Sequence, residues 1–372
     1  MKIVQDAQVG NKTVFLRVDF NVPMKDGEIT DNNRIKAVMP TIRYLVESRA
    51  KIVIGTHLGR PDGKKSTDTS ISPVAKELQR MLNLRVVMAP DISGVETKKL
   101  IESLRPGGIL VLENLRWDKR EEENDAEFAR ELASYADVYV NDAFAVSHRA
   151  NASVEAITKY LPSYAGLLIQ SEVEHLSALM KKPESPFVLV VGGVKVKDKA
   201  GMIEFLAPKV DKILIGGGVA NTFLKATGVD ISQSVYDEEM VDDCAKMLKK
   251  FKDKIVLPID YVNEAGPVES FQIMDIGEKT RQLFINTIKT AKTVLWNGNL
   301  GYTEDKKFQE GTRVVARTMS QINGKTVIAG GDTAGFVIEA GLNKGISFIS
   351  TGGGAALEFL AGKKLPGIEA LK

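Results

Sequence analysis

The sequence predicts an α/β protein: two doubly wound, mainly parallel-sheet, Rossmann-like domains joined by a helix around a cleft. Three observations predict it. Short apolar runs, rich in β-branched residues, alternate with amphipathic stretches of helical period from start to end. The 372 residues exceed what one hydrophobic core usually serves. One helical stretch, 166–182, closed by Pro183 and Pro186, separates two halves whose strands end in different chemistry.

In the first half the strand-like runs are 14–16, 52–54, 109–112 and 138–140, with helical stretches such as 34–48, 73–82 and 125–135 between them. Ser72 before Pro73 reads as an N-cap and first-turn pair. Each strand runs on into an arginine: Arg17 in RVDFNVP, Arg60 in GTHLGRP, Arg116 in ENLRW and Arg149 in NDAFAVSHRANAS. Ligands of parallel α/β sheets sit beyond the carboxyl ends of the strands. Guanidinium forks hold phosphate and carboxylate with two prongs, so these arginines read as an anion cradle. The acidic run Glu121-Glu122-Glu123 reads as a solvated helix start.

The second half repeats the alternation, with strands expected at 187–191, 212–215, 255–257, 293–296, 326–329 and 346–349. Here glycines follow: Gly192-Gly193, Gly216-Gly217-Gly218, Gly330-Gly331 and Gly352-Gly353-Gly354, with Gly298 and Gly301 after a fifth strand. The stretch FVLVVGGVKVKDK is the sharpest case: a strand, a glycine turn, then Lys195, Lys197 and Lys199 with Asp198. Bare backbone, a helix N-terminus and mobile lysines suit a polyphosphate. Asp332 reads as the cap of a helix starting at Thr333, a role compatible with metal binding.

Bulk properties exclude several classes. A net charge of +2 asks for neither nucleic acid nor membrane. No apolar run approaches the roughly 18 residues of a membrane helix. The N-terminal MKIVQDAQVG is too polar for a signal core, so no export signal is expected. The single cysteine, Cys244, allows no internal disulfide and no cysteine zinc site, which fits a reducing cytosol. Three histidines, His57, His148 and His175, are too scattered for a metal cluster. P-loop, G-x-G-x-x-G, HRD and DFG patterns are all missing, so a nucleotide would bind outside those schemes.

Ten blocks in order, RVDFNVP, DNNRI, THLGRP, ENLRW, HRANAS, GGVKVKDK, GGGVANTFL, WNGNLG, GGDTAG and STGGGAALEFLAGKKLPG, resemble the phosphoglycerate kinase family over essentially the whole chain. The resemblance implies reversible phosphoryl transfer from 1,3-bisphosphoglycerate to MgADP, giving 3-phosphoglycerate and MgATP, with hinge closure of two domains. It implies a phosphoglycerate-binding domain at 1–165, a connecting helix at 166–183, a nucleotide-binding domain at 184–354 and a segment, 355–372, that returns to the first domain. Carried over residue by residue, the substrate binders are Asp19, Asn21, Arg34, His57, Arg60, Arg116 and Arg149. On the nucleotide side, Gly192, Lys195 and Lys199 lie along the phosphates, and Gly216 and Gly217 pack on adenine. Asn297 follows toward the phosphates, Glu304 takes the ribose, and Asp332 holds Mg2+ with Gly331 and Thr333 beside it. Arg34, Lys195, Lys199 and Gly353 are the catalytic set. The partners implied are small molecules alone, in a cytoplasmic monomer.

Departures from the family pattern are Asn151 for histidine, Ala145-Val146-Ser147 for Gly-Thr-Ala, Val194 for alanine, Asn299 for proline and Tyr302-Thr303 for a Val-Phe-like pair. The segment 262–271 also reads as a shortened loop. A binding protein that has lost turnover, and a kinase for another acyl phosphate, are the alternatives these changes leave open.

Overall fold

A computed structural model describes residues 1–265 and 270–372. The shortened loop at 262–271 thus lies partly outside the described residues. The chain divides into two compact units: Met1–Glu174 with Lys364–Lys372, and His175–Lys363.

The first unit is built on six parallel strands in the order Val86–Met88, Ile109–Val111, Lys51–Gly55, Thr13–Arg17, Val138–Asn141 and Ser163–Ala165. Helices cover both faces, so the central strands are near-continuous apolar runs and fully buried. The two outermost strands, at 86–88 and 163–165, fall outside the expected set. Each has three residues and is partly exposed, so neither carries an apolar run long enough to read.

The second unit has six parallel strands in the order Ile255–Val256, Lys212–Ile215, Phe187–Val191, Thr293–Asn297, Lys325–Ala329 and Phe348–Ser350. By chain order within the unit this is 3-2-1-4-5-6, which reverses between Phe187–Val191 and Thr293–Asn297. A crevice for a ligand forms at such a switch point. An antiparallel pair, Tyr261–Ala265 with Phe271–Ile276, stands outside the alternation. The last strand lies at Phe348–Ser350, two residues later than the start of the expected 346–349 run, because Ile346 caps the 3-10 turn Asn343–Gly345.

The helix expected at 166–182 is observed at Leu167–Lys181, and the division between the units falls inside it. Its first turn is tied to the first unit. Leu168 N–H and Ile169 N–H donate to Asp142 Oδ1 at 2.9 and 3.1 Å, and Leu167 N–H donates to Thr41 Oγ1 at 3.0 Å.

The returning C-terminal stretch is shorter than 355–372. Helix Gly354–Leu360 stays with the second unit, where a Cβ on Gly362 would lie 2.3 Å from the Phe205 ring. From Lys364 on, the chain joins the first unit: Gly367 N–H donates to Ser147 O at 2.9 Å, and Gly367 O accepts from Asn141 Nδ2 at 3.4 Å.

Three local expectations are corrected. Ser72 is the first helical residue of Ser72–Leu82, and Ser70 Oγ accepts from its N–H at 3.2 Å in the cap's place. Asp332 is the second residue of helix Gly331–Glu339, whose N-cap is Gly330. Glu121 is buried against Arg17 rather than solvated. Among the described residues no helix is long and apolar enough to cross a membrane.

Candidate active site

In the first unit the loops after three neighbouring strands are stitched together. Asn21 N–H donates to Asp19 Oδ1 at 3.0 Å, and Gly59 N–H donates to Asn21 Oδ1 at 2.8 Å. Arg34, in the first turn of helix Asn33–Glu47, pairs with the Asp19 carboxylate. His57 is buried, with Nδ1 3.8 Å from Asp19 Oδ1. Arg116 is buried on the 3-10 turn Leu115–Trp117 and donates to Gly59 O at 3.1 Å. Arg60 is exposed beside it.

Arg116 and Arg149 meet on a residue that the sequence reading passed over. Glu122 Oε1 lies 3.3 Å from Arg116 Nε and 3.9 Å from Arg149 Nη1. Its only local signal was membership of an acidic run.

Arg17 leaves the expected cradle. It is 1% exposed, donates from Nε to Ser153 Oγ at 2.7 Å, and lies 3.7 Å from Glu121 Oε1. Glu121 in turn accepts from Ser153 N–H at 2.9 Å and Ser153 Oγ at 2.6 Å. This is a closed, buried charge pair with its remaining lone pairs satisfied, a structural arrangement. Asn151 is buried beside it and donates to Glu121 O at 3.2 Å, so this departure belongs to that brace.

The electrostatics follow from burial and crowding of cations. Burial pushes the Asp19 carboxyl up, but His57, Arg34, the Asn21 N–H and Arg17 outweigh it and hold Asp19 below its ordinary value. Burial pushes His57 down to about 3, with Arg17, Arg116 and Arg34 adding to the effect against Asp19. The imidazole is therefore neutral at physiological pH. Burial also lowers Arg116, against the pull of Glu122.

The second unit holds a cavity of about 910 Å³ at the carboxyl ends of strands Phe187–Val191, Thr293–Asn297 and Lys325–Ala329. Lys195, Lys199 and Gly217 line it, as do Asn297 and Glu304. Gly331, Asp332, Thr333 and Gly353 complete the expected residues on its wall. Helices Gly217–Ala226, Gly331–Glu339 and Gly354–Leu360 all begin there. Gly217 N–H and Val219 N–H are already donated, to Leu300 O and Gly193 O at 3.0 Å each, so the first turn of Gly331–Glu339 is the better placed for an anion. Burial lowers the Lys199 ammonium, while Asp198 and Asp332 pull it back.

Gly192 and Gly216 lie behind this wall. A Cβ on Gly192 would sit 2.2 Å from Asn299 O, and one on Gly216 would sit 2.5 Å from Leu300 Cδ2. They make room for the 298–300 loop, which closes onto the first glycine turn through Gly193 N–H to Asn299 O at 2.7 Å. Thr333 is likewise a brace, its Oγ1 accepting from Gly298 N–H at 3.0 Å.

A divalent cation fits Asp332. Among the described residues no group of three or more His, Cys, Asp or Glu could hold a metal on protein ligands alone. Asp332 puts a carboxylate on the cavity wall at a helix N-terminus, a donor that suits a magnesium ion keeping most of its waters.

The phosphoglycerate kinase family model matches residues 4–363. The chain belongs to the phosphoglycerate kinase family. It is 43% identical to the phosphoglycerate kinase of Pelotomaculum thermopropionicum over 387 aligned positions, covering all of this chain and 98% of that one. It is 45% identical to the Clostridium botulinum enzyme over 390 positions, with the same coverage. Among solved structures, phosphoglycerate kinase from Coxiella burnetii aligns with TM-score 0.87 and 37% identity, over 99% of this chain and 98% of that one. The Pyrococcus horikoshii OT3 enzyme aligns with TM-score 0.91 and 35% identity, over 100% and 98%. The two parallel-sheet domains are those of phosphoglycerate kinases, and the activity is phosphotransfer of the phosphoglycerate kinase type.

Proposed function

We propose that this kinase runs the reversible transfer from 1,3-bisphosphoglycerate to MgADP with its two ligands on separate units. Asp19, Asn21, His57, Arg60, Arg116 and Arg149 hold the glycerate and its phosphate. The cavity lined by Lys195, Gly217, Asn297 and Glu304 takes the nucleotide, with Asp332 as the protein ligand of its magnesium. When bound with the nucleotide, the ion neutralises phosphate oxygens. Arg34 and Lys199 flank the transferred group and stabilise charge on its equatorial oxygens; Gly353 offers the helix N-terminus behind it. No covalent intermediate is needed. In-line placement of the two substrates supplies about 7–11 kcal/mol of the barrier. Closure of the units onto the substrates excludes water, which would otherwise take the phosphoryl group. The enzyme works as a monomer in the cytoplasm.

The observation that carries the reading is the separation of two kinds of anion recognition. Guanidiniums gather at the strand ends of one unit, and helix N-termini with two lysines line one cavity of the other. A coupled assay of ATP formation, run with calorimetric titration of 3-phosphoglycerate and ADP, tests it. We expect turnover that EDTA abolishes, and 3-phosphoglycerate binding that Arg149→Ala weakens while ADP binding stays unchanged. Binding of both ligands without turnover would refute the reading.

A further inference from the structure

Asn299 occupies a junction that the mechanism above does not use. Its backbone carbonyl accepts from Gly193 N–H at 2.7 Å, which ties it to the first glycine turn. Its side chain points the other way along the chain: Nδ2 donates to Thr303 Oγ1 at 2.8 Å. Thr303 is gripped from a second side, where its carbonyl accepts from Gln309 Nε2 at 2.6 Å. The turn between them is pinned by Tyr302 N–H to Met274 O at 2.8 Å. The next residue is Glu304, exposed on the cavity wall, and Asn299 lines the same cavity. The other end of the Asn299 amide, Oδ1, is buried with no hydrogen-bond partner among the described residues. The side chain therefore acts on the fold through Thr303.

We propose that Asn299 is a positioning residue for sugar recognition: through Thr303 it fixes the turn that presents Glu304 to the nucleotide's ribose hydroxyls. This rests on the reading that the cavity takes a nucleotide with its ribose at Glu304. A glutamate on an exposed turn has several rotatable bonds, and ordering it costs entropy that a pinned backbone reduces. Asn299 thus links the phosphate-side glycine turn and the ribose-side carboxylate, so the two ends of one ligand are registered by one residue.

The test uses the full-length enzyme with ADP, 2′-deoxyADP and 3′-deoxyADP as substrates. A neutral hydrogen bond sets the scale, so Asn299→Ala should raise the KM for ADP roughly threefold to tenfold with a smaller change in kcat. Discrimination between ADP and the deoxy analogues should fall by a similar factor. Thr303→Val should reproduce the effect, and the double variant should be no worse than either single one. If wild type discriminates and Glu304→Ala abolishes that, while Asn299→Ala and Thr303→Val leave it intact, the positioning role is overturned and the nucleotide reading survives. Absence of discrimination in wild type would overturn both. Thermal melting of each variant separates these outcomes from misfolding.

Discussion

The Asp142 carboxylate closes over Gly166 so tightly that a Cβ at residue 166 would lie 2.2 Å from Asp142 Oδ1. The same oxygen accepts two N–H groups at the start of helix Leu167–Lys181, while Oδ2 has no hydrogen-bond partner among the described residues. Burial pushes this carboxyl up to about 7, against hydrogen bonds from Thr41, Ile169 and Leu168.

A pH dependence follows. The native state holds the Asp142 proton more tightly than the unfolded chain, where the carboxyl keeps its ordinary value of 3.8. The stabilisation is complete below that value and is lost as pH rises toward about 7. Denaturant melts of wild type and Asp142→Asn at pH 5 to 8 should diverge by up to about 1.4 kcal/mol per pH unit, with the variant gaining relative to wild type as pH rises. Parallel curves would refute the assignment.

Arg34→Ala should lower kcat by about 10- to 150-fold, the range of one charged hydrogen bond, while ADP affinity stays within twofold. It also strands the buried Asp19 carboxylate, so a small drop in melting temperature is expected alongside. Stopped-flow nucleotide binding and steady-state turnover check the split.

Gly192→Ala should be much worse than Gly216→Ala. At 192 the obstructing atoms are backbone, Asn299 O at 2.2 Å and Gly298 O at 2.5 Å; at 216 they belong to the Leu300 side chain. We expect a loss of about 1–3 kcal/mol and a raised KM for ADP at 192, and a smaller loss at 216. Urea midpoints of the two variants decide it.

Glu121→Ala should cost about 3–5 kcal/mol by leaving Arg17 buried without its counter-charge. Replacing both by apolar residues of similar volume should recover most of that loss. Chemical denaturation of the single and double variants gives the comparison.

The strands and their ligand-side ends were legible in the sequence because parallel strands buried on both faces read as apolar runs, and because the residue after each run is local information. Side-chain destinations were not local. Arg17 ends one strand and Arg116 lies in the loop after another, yet one meets Glu121, about a hundred residues on, and the other stays at the loop edge. The glycines read alike, but Gly193 and Gly217 line the cavity while Gly192 and Gly216 yield space to a loop from a later strand. The outermost strands of the first unit were missed because three half-exposed residues carry no period. In each case the deciding partner comes from a distant part of the chain.

The last nine residues, Lys364–Lys372, belong to the first unit, and all of His175–Lys363 is threaded between them and the rest of it. During synthesis the ribosome delivers the whole second unit before the first has received its final piece. The first unit therefore cannot be completed until the whole chain has been made, because the Gly367 contacts to Asn141 and Ser147 join its two ends.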